Sequence, residues 1–201
     1  MPDLIRSVLF LLGTSPAWSG CQQDAKLAPP RDSGIPGFAS CTTAGECVAL
    51  VPGCCGVCGA PMLSDVVGVN SSQQAAFRAE TCTDPDPACP KCAETREPNL
   101  VAICQSDQCT PIDVRLESIS NCVTDDDCRL RYPECCESCD VQPGSLIAIA
   151  KRYEGLFAAE VCRPGQACPP CEPAYATGKA RASATCADNG HCHVVTALPP
   201  N

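Results

Sequence analysis

Residues 41–58, CTTAGECVALVPGCCGVC, are answered by residues 122–139, CVTDDDCRLRYPECCESC, with every cysteine in step. The first set continues from Cys41, Cys47, Cys54, Cys55 and Cys58 to Cys82, Cys89, Cys92, Cys104 and Cys109. The second continues from Cys122, Cys128, Cys135, Cys136 and Cys139 to Cys162, Cys168, Cys171, Cys186 and Cys192, and spacings change only where loops absorb them. Ten cysteines written twice in one order describe an internal repeat, not a bias of composition. Counted from matched cysteines, Pro52 stands with Pro133, Phe77 with Phe157, Glu80 with Glu160 and Pro90 with Pro169.

Of 201 residues 21 are cysteine and 20 proline, while aromatics are scarce. Modules shorter than about 80 residues rarely build a sufficient apolar core and need covalent staples. A native disulfide contributes about 2–4 kcal/mol, so several per module can supply what the core lacks. The formal net charge of −9, with no basic cluster, argues against nucleic acid or an anionic membrane surface as partner. Past the first twenty residues no apolar run reaches the length of about 20 residues that a spanning helix requires.

Residues 1–20 carry Arg6, the apolar stretch from Ser7 to Leu12 and then Trp18-Ser19-Gly20 before Cys21, the layout of an export signal. Small residues directly before a cysteine resemble the lipobox of bacterial lipoproteins. That resemblance implies a lipid-bearing Cys21 as mature N-terminus, and an outer-membrane or cell-surface location with the lipid as the only membrane contact. Plain secretion is the alternative. Setting Cys21 aside leaves twenty cysteines, all able to pair. Residues 21–38, rich in Pro, Gly and polar side chains, read as a flexible tether. Beyond the leader, the chain has the general look of cysteine-rich secreted bacterial proteins, a resemblance that implies no activity.

The expected fold is small, disulfide-rich α+β: two tandem homologous modules over 39–113 and 118–197, each one helix plus a short β-ribbon. Apolar residues at Leu146, Ile149, Ala150, Tyr153, Leu156, Phe157 and Val161 predict a helix over 145–161, with its counterpart over 65–81. A strand over 66–69 competes with the latter. Hairpins are expected at Leu100 to Cys109 and Ala184 to Val195, the second turning near Asn189-Gly190. Strands from Cys47 to Val51 and from Cys128 to Tyr132 are expected to join those ribbons. Adjacent Cys54-Cys55 and Cys135-Cys136 are expected to tie helix to ribbon. Residues 110–121 are read as an extended link.

Each copy holds two C-x-x-C pairs, which in a reducing compartment would be zinc ligands but behind an export signal become disulfides. His191 and His193 flank Cys192 on a predicted strand, where alternation places both rings on one face. The first copy has no histidine, so a surface role is expected, with no metal and no cofactor. Asp125-Asp126-Asp127 faces Ala44-Gly45-Glu46 and reads as a solvated turn. No Ser/His/Asp or Cys/His set assembles, so catalysis is not expected. The cysteine-bounded loops 48–53 and 129–134 diverge most, apolar in one copy and basic in the other. A rigid loop of that kind suits a protease inhibitor, with Leu50 and Arg131 as the specificity residues of a two-headed molecule. The leading expectation is nonetheless a non-catalytic lipid-anchored or secreted envelope protein that binds an unidentified protein or envelope component. The inhibitor comes second and a metal-binding protein third.

Overall fold

A computed structural model describes residues 37–84, 88–89, 91–92, 95–140, 142–176 and 181–196. The leader, Cys21 and most of the tether expected before Phe38 lie outside the described residues. The first half runs β1 (Cys47–Leu50), β2 (Val67–Asn70), α1 (Gln74–Thr81), β3 (Leu100–Gln105) and β4 (Gln108–Asp113). The second half repeats this order as β5 (Cys128–Arg131), β6 (Ile147–Ala150), α2 (Glu154–Val161), β7 (Ala182–Cys186) and β8 (Cys192–Thr196). Among the described residues it is a small disulfide-rich α+β fold of two short helices, four antiparallel strand pairs and ten disulfides.

The sulfurs pair in one order in both halves. Counting cysteines within a half, the first joins the ninth (Cys41–Cys104, Cys122–Cys186) and the second the tenth (Cys47–Cys109, Cys128–Cys192). The third joins the sixth (Cys54–Cys82, Cys135–Cys162), and the C-x-x-C pairs bond to each other, Cys55–Cys89 with Cys58–Cys92 and Cys136–Cys168 with Cys139–Cys171. Adjacent Cys54 and Cys55 thus reach the helix end and the cysteine loop. The ribbon is held instead by Cys41 and Cys47, a correction to the expected tie.

Strand β1 also departs from expectation. It pairs with β2, not with the hairpin, and the β1–β2 ribbon lies against the β3–β4 ribbon under the Cys41–Cys104 and Cys47–Cys109 bridges. The two layers meet so closely at Gly68 that a Cβ there would fall on the Cys109 carbonyl. Backbone cannot yield as a flexible side chain does, so Gly68→Ala is expected to cost about 3 kcal/mol or more. Its counterpart Ala148 already accommodates a methyl group, and Ala148→Gly is expected to cost only about 1 kcal/mol. Guanidinium unfolding midpoints of the two oxidised variants check the contrast.

The expected helices are half the predicted length. Residues 67–70 and 147–150 are strands, each followed by one 3-10 turn before an eight-residue helix. For the second half this overturns the helical stripe, and the cause is burial on both faces. Ala148 and Ala150 face β7–β8, Ile147 and Ile149 face the first half, and Leu146 to Ala150 are all buried. A strand covered on both sides loses its polar alternation and mimics a helical run.

The largest apolar cluster straddles the halves. Val101, Ile103, Ile112 and Val114 from the β3–β4 side pack on Ile147, Ile149 and Phe157, with Ile119 between. On the same outer face of β7–β8 the equivalent positions carry Ser183, Thr185 and Val195, the last 40% exposed. The link is no loose spacer: after β4 the chain makes 3-10 turns over Val114–Leu116 and Ser118–Ser120, with Val114, Ile119 and Ser120 buried. Phe38, expected in the tether, belongs to the folded part. Its ring meets Phe77 edge-on at 5.7 Å and its carbonyl accepts from Asn70 N–H, as Ile119 joins the cluster around Phe157.

Candidate functional site

A groove of about 1040 Å³ opens between the halves beside β1. Its floor is Val48, Leu50 and Val66, and its rim carries Arg78, Arg96 and Arg163 together with Glu134 and with Glu97, which Arg115 engages at 3.4 Å. These side chains arrive from β1, α1, the segment after the cysteine loop, and the turn after α2. The turn is fixed by backbone contact: Gly45 N–H donates to the Glu160 carbonyl at 3.3 Å, at a positive φ of 74° that glycine adopts without strain. Arg163 Nε donates to the Gly45 carbonyl at 3.3 Å and Nη2 to Ser71 Oγ at 2.8 Å. Arg96 meets Glu134 at 2.9 Å across the halves. Among the described residues Arg78 and Arg163 meet no carboxylate, so in a chain of net charge −9 the groove keeps a positive rim.

At the equivalent place in the second half, the described residues leave a smaller opening. The hollow beside β5, about 450 Å³, is lined by Arg129, Glu154 and Tyr175, where Arg129 and Glu154 form an ion pair. Burial pushes the Tyr175 phenol above its ordinary range.

Leu50 and Arg131, the specificity residues of the inhibitor reading of loops 48–53 and 129–134, lie on β1 and β5, where strands were the competing expectation. Leu50 is half-buried in the groove floor. Arg131 is 4% exposed, with Nη2 donating to the Glu134 and Cys135 carbonyls at 3.2 Å and the guanidinium 5.0 Å from the centre of the Phe157 ring. Burial lowers its pKa. A specificity residue must enter a protease pocket, and this one is spent on the interior, so the inhibitory role for Arg131 is not supported by its position.

The histidines are held apart by separate partners. His193 Nε2 lies 3.2 Å from Thr185 Oγ1, and His191 Nδ1 lies 2.8 Å from Ser120 Oγ. The Ser120–His191 contact was not legible in sequence, the two residues being 71 positions apart. It is a clip rather than a nucleophile. Ser120 is fully buried, and its hydroxyl also lies 2.9 Å from the Glu117 carbonyl, so it is held from two sides. Among the described residues, the groups of three with metal-ligand spacing are Cys41/Cys47/Cys109, Cys122/Cys128/Cys192 and Cys135/Cys136/Cys168, all disulfide sulfurs. A metal ligand must be a thiolate, and oxidation removes it.

The acidic run has a structural use. Asp127 Oδ2 accepts from Val123 N–H and Thr124 N–H at 2.8 and 2.9 Å, and Glu46 Oε2 accepts from Thr42 N–H and Thr43 N–H at 2.8 and 3.3 Å. These backbone donors hold both carboxyls below their ordinary values of 3.8 and 4.5. An acid whose pKa is depressed by folding contributes stability that is complete above its unfolded value and lost as pH falls through the folded one. Thermal midpoints are therefore expected to hold down to about pH 5 and fall below it, and to fall less steeply in Glu46→Gln/Asp127→Asn.

Among the described residues no helix is long and apolar enough to cross a membrane. No protein-family model, curated protein or solved structure matches this chain.

Proposed function

We propose that the chain is an exported, non-catalytic binding protein, lipid-anchored at Cys21 or secreted, built by duplication of one ten-cysteine module. The observation that carries this is the oxidation of ten cysteines in each half in a single shared order. Disulfides at this density belong to an oxidising or extracellular environment. With Ser120 buried in its clip, the groove beside β1 is the surface offered to a partner. The duplication explains why the two halves share an element order while their grooves differ, since one copy can drift once the other keeps a role.

Intact-mass spectrometry of protein from the exporting cell tests this, with thiols alkylated before and after reduction. Twenty cysteines labelled only after reduction and an acyl mass on Cys21 are expected for the lipid-anchored form, and a mature chain without the acyl mass for the secreted one. Thiols that label without reduction, or a leader still attached to the chain, would overturn export.

A further inference from the structure

The two equivalent ribbon edges differ. Ser71 N–H donates to the Glu46 carbonyl at 2.6 Å, while Asn70 N–H turns the other way, to the Phe38 carbonyl at 2.7 Å. With the β1–β2 register, Val48/Val69 and Leu50/Val67 are then the pairs that exchange hydrogen bonds. The N–H and C=O groups of Cys47 and Ala49 therefore point away from β2, and both residues line the groove. They have no hydrogen-bond partner outside their own ribbon among the described residues. An edge of this kind is ordinarily blunted. In the second half it is: the Leu130 carbonyl accepts from Arg129 Nε at 3.3 Å, and Tyr175 and Glu154 stand beside it. In the first half Val48 replaces Arg129 and Gln74 replaces Glu154, which removes the plug and its ion pair together.

We propose that the free edge of β1 takes an extended, acidic peptide segment of a partner protein as a third strand. Val48 and Leu50 receive its apolar side chains, and Arg78 and Arg163 its carboxylates. Backbone pairing supplies affinity in such strand addition and the flanking side chains supply selection. The charge of the occupant follows from the rim, because among the described residues Arg78 and Arg163 meet no carboxylate, the groove's Glu97 and Glu134 being engaged by Arg115 and Arg96, and Arg163 is already held in place by Gly45 and Ser71. This inference rests on the binding role proposed above and names the partner's chemistry.

The test is panning of a phage-displayed library of linear random peptides on the intact oxidised protein, followed by anisotropy titrations with the enriched peptides made synthetically. Enriched sequences are expected to alternate apolar residues with Asp or Glu. Their affinity is expected to fall about tenfold or more with Ala49→Pro, which removes the outward N–H yet leaves the β1–β2 ladder bonds intact. A similar loss is expected with Arg78→Glu/Arg163→Glu. Backbone N-methylation of the peptide tests the same edge on wild-type protein, so the outcome does not depend on the folding of any variant. No enrichment, basic consensus peptides, or binding untouched by N-methylation and by charge reversal would overturn the proposal. Because export is read from masses and this site from titrations, either can fail while the other stands.

Discussion

Phe157→Ala is expected to lower stability by about 3–5 kcal/mol, the range for removing a large buried ring whose surroundings cannot collapse. The ring is 1% exposed and joins the two halves: it packs with Val101 and Ile103 from one and Ile147 and Ile149 from the other, and carries the Arg131 guanidinium on its face. Removal leaves that cation buried without its ring, a loss of about 0.5–2 kcal/mol in addition to the cavity. Phe77→Ala deletes an equally buried ring, but its ring neighbour is Phe38 and it lies outside the shared cluster. Hydrogen exchange separates the two variants. Phe157→Ala is expected to raise exchange in β3, β4 and β6 alike, crossing the seam, and Phe77→Ala to raise it around β2 and α1 alone.

Loss of both Cys41–Cys104 and Cys47–Cys109 is expected to unfold the first half, whereas loss of either one is expected to be tolerated. Their sequence separations are 63 and 62 residues, for which the chain-entropy relation gives about 4 kcal/mol each if each acted alone. They do not act alone. Once one bridge is formed, the second closes only the short ring made by the Cys41 to Cys47 and Cys104 to Cys109 stretches, about a dozen residues, and adds about 3 kcal/mol at most. The first bridge to go therefore costs less than the second, and a double-mutant cycle with paired Cys→Ala changes is expected to show a coupling of about 1 kcal/mol. Additive losses would show that the two bridges constrain different parts of the unfolded chain.

The cysteine content made the small disulfide-rich α+β class legible in the sequence, and the residue pattern made the two hairpins so. The β3–β4 turn was legible by place but not by type. Ser106 and Asp107 take φ of 52° and 61°, the two positive values of a type I′ turn, in a sequence without the usual Asn-Gly. Leu146 to Ala150 misled because double-sided burial erases alternation. Leu100 to Ile103 are all apolar, so the sequence cannot say which face meets its own ribbon and which meets the other half. Arg131 misled for a related reason: an arginine reads as exposed until a ring and two carbonyls are seen to receive it. The groove was the least legible feature. It depends on which backbone groups of β1 point outward, and hydrogen-bond phase within a register leaves no trace in residue type.

The seam between the halves also sets a rule for growth. Each half presents a ribbon-and-helix face and a hairpin face, and the hairpin of the first seats on the ribbon and helix of the second. Such head-to-tail contacts have no intrinsic end and would extend into a fibre if every hairpin were alike. Ser183 and Thr185 in place of Val101 and Ile103 make the second hairpin a poorer match for such a contact than the first. A second copy of the chain offering this hairpin would therefore bring Ser183 and Thr185 to a face that the seam fills with Val101 and Ile103, so the contact that joins the halves inside one molecule is a poor one between molecules.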